Sequence, residues 1–396
     1  MQLNVSNPMR LGIIGGGQLG KMLCMDAKRL GLRVNILDPS HDCPASSIAD
    51  EHIVANFNDR QGIVKLAEIS DVLTYEIELA DADVLEELEN RGYRVRHPSN
   101  VLRVIQDKLV QKHVLSKHGI PTARFYILNG SHDANSIQEV VGKIGYPLVI
   151  KARRGGYDGR GNMVIKSIDD LNSINFKEFI AKSKDVGFYV EEYINFTKEI
   201  SVIVARSSNG KTVAYPVAEN IHDNGILDTS IVPARIDEHI AEEAKKIAVD
   251  VINALEGIGV FGVEMFLTSD DRVLVNEVAP RVHNTGHYSI EACNISQFEQ
   301  HIRAVMDLPL VKPYLICNAA VMVNILGNDS IDGRYAIDRI DKLLSIDGLR
   351  LHVYGKNMNK GRRKLGHLTI VSNSSIDDAL AKAEYAKSIL KLISVN

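Results

Sequence analysis

Over its first hundred or so residues, the chain alternates short apolar runs, closed by glycine or acidic residues, with stretches of helical periodicity. Leu11-Gly-Ile-Ile14 predicts a buried strand, the residues after Gly20 a helix to about Leu30, and Val34-Asn-Ile-Leu-Asp38 the next strand. Strand-like runs return at Val72–Glu76 and near Tyr93–Arg96, with a helical pattern at Ala82–Asn90. This alternation predicts a parallel α/β layer. Asp107–His118 is helical, and Gly119-Ile-Pro121 stops it. A second α/β unit runs from Pro121 to Tyr189, and a third from Glu191 to about Leu308, with a long helix at Glu238–Leu255. Pro309 and Pro313 mark a further boundary. Beyond it come short strands at Ala319–Leu326, Leu349–Tyr354 and His367–Val371, and a final helix at Ile376–Ile393. The expected division is 1–118, 119–190, 191–312 and 313–396.

Within the third unit, Phe261–Leu267 and Val273–Val278 are apolar and strand-like, and Ser269-Asp-Asp-Arg272 between them predicts a tight turn. A hairpin closing symmetrically about Asp270 and Asp271 sets Glu264 opposite Glu277. Two carboxylates facing each other across a ladder repel, and a divalent cation converts that repulsion into coordination. Mg2+ takes carboxylate oxygens and commonly carries nucleotide phosphates with it. The competing reading is a pair of solvated glutamates; the apolar neighbours argue against a surface hairpin.

The totals narrow the class. The chain has 396 residues and a formal net charge of −4, which gives no support to a nucleic-acid or anionic-membrane surface. Cys24, Cys43, Cys293 and Cys317 form neither a metal spacing nor a disulfide framework, so a reducing cytoplasm is expected. The start lacks the apolar core of a signal peptide, and no stretch is apolar enough to span a bilayer.

Several loops carry chemistry. Gly15-Gly-Gly-Gln-Leu-Gly20 followed by Asp38 has the form of a dinucleotide turn, although its glycines suit a tight turn with any ligand. Pro147–Lys151 is a strand ending in lysine, and Arg153–Gly161 is a loop of glycines and arginines leading into the strand Asn162–Ile165. Such a loop can wrap a polyphosphate as a flap; the bland alternative is a mobile hairpin. Phe188–Ile194 predicts a hinge whose backbone groups are open to an adenine edge, and Glu199 begins the next strand, within reach of a ribose or of a surface salt bridge. Arg281, His283, Asn284 and His287 crowd one loop beside the second carboxylate, which points to a reactive site. Tyr354–Gly366 is a basic, glycine-punctuated hairpin suited to a phosphate monoester or to solvent; it lacks the interleaved aromatics of an RNA surface.

Taken together, these motifs resemble the 5-(carboxyamino)imidazole ribonucleotide synthases, ATP-grasp enzymes of de novo purine synthesis. The resemblance rests on Gly15–Gly20, Thr74–Glu78, Gln106–Lys112, Lys151 with the following glycine-rich loop, Asn195–Glu199, Asn220–Leu227 and Ala279–His287, and spans about Leu11 to His367. It implies an α/β (α+β overall) ATP-grasp fold, its core at about 112–307, preceded by a Rossmann-like preATP-grasp domain and followed by a small β-rich domain. It implies bicarbonate- and ATP-dependent carboxylation of aminoimidazole ribonucleotide, with Mg2+ on Glu264 and Glu277, in a cytoplasmic homodimer without nucleic-acid or membrane partners. Lys108, Lys151, the flap residues Gly156, Tyr157, Asp158, Gly159, Arg160, Gly161 and Asn162, the hinge Glu191, Glu192, Tyr193 and Ile194, and Glu199, His222, Asn276 and Glu277 would bind ATP. Gln18, Leu19, Glu76, Tyr157, Asp158, Arg160, Lys356 and Arg363 would bind the imidazole nucleotide, and Arg281 and Asn284 would act near bicarbonate. Relatives often carry Gln where Glu192 stands, so the side-chain role at that position stays open.

Three rival readings remain at this level. A formate-dependent glycinamide ribonucleotide transformylase shares the fold but carries a serine-rich flap and an aspartate in place of Asn284. An NAD-dependent oxidoreductase would use the first glycine-rich turn. A regulator would bind ATP without turnover.

Overall fold

The computed structural model describes residues 6–128, 134–155, 161–183 and 186–395. The opening α/β layer is a four-stranded parallel sheet in the order Glu51–Ile53, Arg33–Leu37, Arg10–Ile14, Val72–Tyr75. Leu11, Ile13, Ile14, Val34, Ile36 and Leu37 have no exposed surface, as expected where both faces of a parallel sheet are covered. The crossover helix Gln18–Arg29 buries Leu19, Met22, Leu23 and Ala27, one face of its surface. The strand expected at Tyr93–Arg96 does not form. Val95 makes a single parallel bridge to Leu73, and Pro98, which lacks an N–H, then opens the helix Ser99–Gln106.

A small antiparallel sheet follows, ordered Phe125–Tyr126, Phe188–Glu192, Leu148–Ala152, Asn162–Ile165. Its inner face packs Leu148, Ile150, Ile165, Phe188 and Val190 on Ile137, Val140, Leu171 and Phe176.

The largest sheet has nine strands. Its path runs Val273–Ala279, Gly259–Thr268, Phe196–Arg206, Ala218–Asp223, Ile226–Val232, Ala319–Leu326, Lys364–Ser372, Leu349–Val353, and Thr212–Ala214 pairs beside Phe196–Arg206. Helix Glu238–Leu255 covers one face through Ile240, Ala244, Ile247, Ala248, Val251 and Ile252. The sheet continues past residue 313: Thr229 to Val232 pair with Val323 to Ala320, so the C-terminal strands extend the sheet that carries Glu264 and Glu277. The last helix ends at Ile389, four residues before the expected Ile393. Lys391–Ser394 instead forms a strand against Tyr335–Asp338, so local edge pairing overrides the helical periodicity of the tail.

Candidate functional site

The acidic hairpin closes one residue tighter than symmetry about Asp270 and Asp271 predicts. Leu267 pairs with Val273, Phe266 with Leu274 and Met265 with Val275; the register then shifts, and Glu264 faces Glu277. Asn276 is therefore the extra residue of a β-bulge. The bulge decides the chemistry. Val275 and Val278 point into the core, while Asn276 and Glu277 both turn to the face of Glu264. Glu264 and Glu277 keep 26% and 43% of their side-chain surface open to the cleft, which leaves room for an ion. Burial, and then the Glu277 charge, pushes the Glu264 carboxyl up to about 7. Burial also opposes ionisation of Glu277, but Lys108 with Lys151 and Arg281 outweighs it and holds that carboxyl below its usual range. Opposed hard oxygens of this kind fit Mg2+ carried on a nucleotide.

Lysines face this pair from two elements. Asp107 caps the helix Lys108–Lys117 by accepting from Leu109 and Val110 N–H, and Lys108 and Lys112, one turn apart, share a face. Lys108 Nζ lies 3.1 Å from Glu277 Oε2. From the neighbouring sheet, Lys151 Nζ donates to Asn276 Oδ1 at 3.0 Å and pairs with Glu191 Oε2 at 2.8 Å. Lys112, 1% exposed, takes the other oxygen, Glu191 Oε1, at 3.1 Å and also donates to Thr122 Oγ1 and the Val275 carbonyl. Asp107 further binds Arg153 at 2.5 Å, which pins the entry of the flap to the start of this helix. Gly161 and Asn162 close the far side, Asn162 pairing with Lys151. Gly156, Tyr157, Asp158, Gly159 and Arg160 lie outside the described residues.

The hinge differs from the expectation of open backbone groups. Glu191 is paired on both sides, to Phe125 and to Val149, and its carboxylate is spent on two lysines. Glu192 N–H donates to the Arg124 carbonyl, and its carboxylate accepts from Arg124 N–H at 2.9 Å and Nε at 2.7 Å, so that side chain fastens the hinge. The backbone leaves the sheet only at Tyr193 and Ile194. Across the large sheet, Glu199 lies against His222 Nδ1; burial disfavours the imidazolium, but this carboxylate outweighs it and raises the His222 pKa.

On the other side of the cleft, the glycine-rich turn is already closed by acids. Gly16 N–H donates to Asp38 Oδ2 at 2.9 Å and Gly17 N–H to Glu76 Oε1 at 2.7 Å. A side chain at Gly16 would strike Cys43 Sγ at 2.6 Å, so this glycine serves close packing. With these two N–H groups already bonded, neither is left to receive a pyrophosphate, and Asp38 is committed to the turn instead of a ribose. Burial pushes the Glu76 carboxyl up to about 7. Gln18 and Leu19 open the helix; Leu19 is 5% exposed and packs in the core, which leaves only its backbone for a ligand. Lys21 Nζ donates to the Tyr354 and Val353 carbonyls at 3.1 and 3.2 Å, and Asn357 donates to Asp42 at 2.7 Å. These bonds bring the basic hairpin alongside the same helix. Lys356 Nζ donates to the Lys364 carbonyl at 2.8 Å, and Arg363 is exposed.

Arg281 and Asn284 are held differently. Arg281 Nε donates to Glu78 Oε1 at 2.8 Å, and Asn284 exchanges two hydrogen bonds with Asn324. His283 Nε2 stands 3.5 Å from Glu264 Oε1, and burial keeps its ring neutral. His287 corrects the loop-cluster expectation: it is 1% exposed and packs against His367 and Phe298, away from the carboxylates. Sequence reasoning gave no role to Glu78, Lys112, Gln297 or Asn324. The available signal for Asn324 is a lone amide in an apolar strand.

Three family models match in succession: ribonucleotide synthetase preATP-grasp domain over residues 9–106, ATP-grasp domain over 113–298, and phosphoribosylaminoimidazole carboxylase C-terminal domain over 320–382. N5-carboxyaminoimidazole ribonucleotide synthase of Bacillus subtilis (strain 168) is 42% identical over 361 residues, 91% of each chain. The crystal structure of N5-carboxyaminoimidazole ribonucleotide synthetase from Thermotoga maritima is 44% identical, with a TM-score of 0.87 over 98% of this chain and 100% of that one. The Aspergillus clavatus synthase, solved with ADP and 5-aminoimidazole ribonucleotide, is 34% identical, with a TM-score of 0.87 over 96% and 98%. With this identity sustained along nearly its whole length, the chain belongs to the N5-carboxyaminoimidazole ribonucleotide synthase family of ATP-grasp enzymes.

Proposed function

We infer that the enzyme carboxylates the exocyclic amine of 5-aminoimidazole ribonucleotide with bicarbonate, at the expense of ATP, in purine synthesis. The observation that carries this reading is the bulged hairpin, which aims Glu264, Asn276 and Glu277 at Lys108 and Lys151 in a chain whose relatives bind ADP and the imidazole nucleotide. Bicarbonate is a weak electrophile and needs a leaving group. A bicarbonate oxygen attacks the γ-phosphorus, the bond to the bridging oxygen breaks, and ADP departs, leaving carboxyphosphate. The amine nitrogen then attacks the carboxyl carbon, the carbon–oxygen bond to phosphorus breaks, and the amine proton leaves with the phosphate.

Phosphoryl transfer of this kind is mainly positioning and charge neutralisation. Lys108 and Lys151 contact phosphate oxygens, and the flap 156–162 shields the acyl phosphate from water. Mg2+ held by Glu264 and Glu277 would supply further neutralisation at the nucleotide phosphates. Glu192 to Ile194 line the adenine side, with Glu199 and His222 towards the ribose. Glu76 faces the imidazole nucleotide, and Lys356 and Arg363 meet its phosphate. Arg281 and Asn284 stabilise charge at the carboxyl group.

Among the described residues, no helix is long and apolar enough to cross a membrane. The four cysteines are free, which suits a reducing cytoplasm; the homodimer is carried by the family resemblance alone. The carboxyphosphate step is tested by supplying 18O-labelled bicarbonate. One labelled oxygen should appear in the released phosphate for each molecule carboxylated, and unlabelled phosphate would rule the intermediate out.

A further inference from the structure

Asn324 sits in the strand Ala319–Leu326, whose other members are all Ala, Val, Met, Ile or Leu. It is 4% exposed. A buried amide in such a strand needs partners, and Asn324 has three hydrogen bonds. Its Nδ2 donates to the Leu227 carbonyl at 2.8 Å and to Asn284 Oδ1 at 2.8 Å, and its Oδ1 accepts from Asn284 Nδ2 at 3.1 Å. The Leu227 carbonyl can only accept, so it decides which end of the Asn324 amide carries nitrogen. That choice passes to Asn284, whose nitrogen must face Asn324 oxygen and whose oxygen must face Asn324 nitrogen. One N–H of Asn284 remains for a ligand, with its direction set by the amide plane.

The backbone of the same loop is held separately. Gln297, fully buried, accepts from His283 N–H at 2.9 Å and donates to the His283 carbonyl at 2.7 Å. A side chain at Gly286 would meet Gln297 Oε1 at 2.6 Å. Removing Asn324 therefore frees the Asn284 side chain while the backbone at His283, the residue before it, stays clamped.

We propose that Asn324, contributed by the C-terminal segment, is a positioning residue for carboxylation: through the paired amides it holds Asn284 in one orientation, with a single N–H aimed at the carboxyl group under transfer. This rests on the reading of Asn284 given above. It also gives the C-terminal strand a part in catalysis, beyond extending the sheet.

A double-mutant cycle tests the proposal, with Asn324→Leu, Asn284→Ala and their combination in the full-length enzyme. Asn324→Ser, whose hydroxyl can still serve the Leu227 carbonyl, provides a second variant if the leucine fails to fold. Bicarbonate-dependent turnover should fall roughly tenfold or more in Asn324→Leu and in Asn324→Ser, with the KM for ATP unchanged. More ATP should be hydrolysed per carboxylated product. The double variant should be no slower than Asn284→Ala, because the two residues act as one unit. Independent, multiplying losses would overturn the proposal, as would full activity in folded Asn324 variants while Asn284→Ala is impaired. Unchanged carboxylation in Asn284→Ala would overturn it too, by removing the role of Asn284, and would leave the dependence on ATP and the imidazole nucleotide standing.

Discussion

Lys112 and Lys151 hold opposite oxygens of one buried carboxylate, Glu191, at 3.1 and 2.8 Å. Burial of Glu191 opposes its ionisation, but the two ammonium groups outweigh that and pull its pKa down to about 2. The arrangement leaves one net positive charge, and of the two lysines it is Lys151 that reaches the cleft. Lys112→Met should leave Glu191 satisfied from one side only. Removing one partner of a buried ion pair costs about 3–5 kcal/mol, so the melting temperature should drop, and the KM for ATP should rise as Glu191 draws Lys151 back. Adding Glu191→Gln to Lys112→Met should recover part of the lost stability. Two destabilisations that simply add would show that the pair is not coupled.

Glu76 predicts a pH dependence. Its carboxyl is raised by burial to about 7 in the folded chain, so the folded state keeps a proton that the unfolded state releases near pH 4.5. The stability associated with this group is present at low pH and is lost as pH rises from about 4.5 through about 7, by up to about 3 kcal/mol. Glu76→Gln can still accept from Gly17 N–H but does not ionise. Thermal unfolding of the ligand-free enzyme between pH 5 and pH 8 should show the glutamine variant gaining on the wild type as pH rises. A gap that stays constant with pH would contradict the assignment.

The basic hairpin is expected to hold the phosphate of the imidazole nucleotide. Lys356→Ala and Arg363→Ala each remove one charge-assisted hydrogen bond, worth about 1.5–3 kcal/mol. Steady-state kinetics should show the KM for aminoimidazole ribonucleotide rising roughly 10- to 100-fold with the KM for ATP unchanged. An equal rise in both constants would place the hairpin outside the substrate site.

Much of this was legible in the sequence wherever a strict local pattern existed. The βαβ opening, the long helix Glu238–Leu255 and the pairing of Glu264 with Glu277 all follow from periodicity and turn residues. The bulge at Asn276 does not, because a one-residue slip is decided by packing of Val275 and Val278 into the core. The pairing of Glu191 and Glu192 is hidden for a similar reason: it depends on a two-residue strand at Phe125 too short to leave a sequence signal. His287 was drawn to the site by its neighbours, although its side chain is enclosed by His367 and Phe298. The continuity of the large sheet past residue 313 rests on pairing between Ile226–Val232 and Ala319–Leu326, a contact between segments distant in the chain. The glycine-rich turn is legible in form but not in ligand: its motif suits a dinucleotide or any other ligand, and only the bonds from Gly16 and Gly17 to Asp38 and Glu76 show that these two N–H groups are occupied within the chain.

The central claim is that opposed carboxylates gather the nucleotide for phosphoryl transfer to bicarbonate. It is tested most directly by measuring ADP release in the presence of Mg2+ and ATP while aminoimidazole ribonucleotide and bicarbonate are added separately and together. The expected result is strong release only with both, and a fall of about a hundredfold or more in Glu277→Gln, which removes a ligand charge and the partner of Lys108. Stimulation by glycinamide ribonucleotide and formate instead, or undiminished turnover in Glu277→Gln, would contradict it.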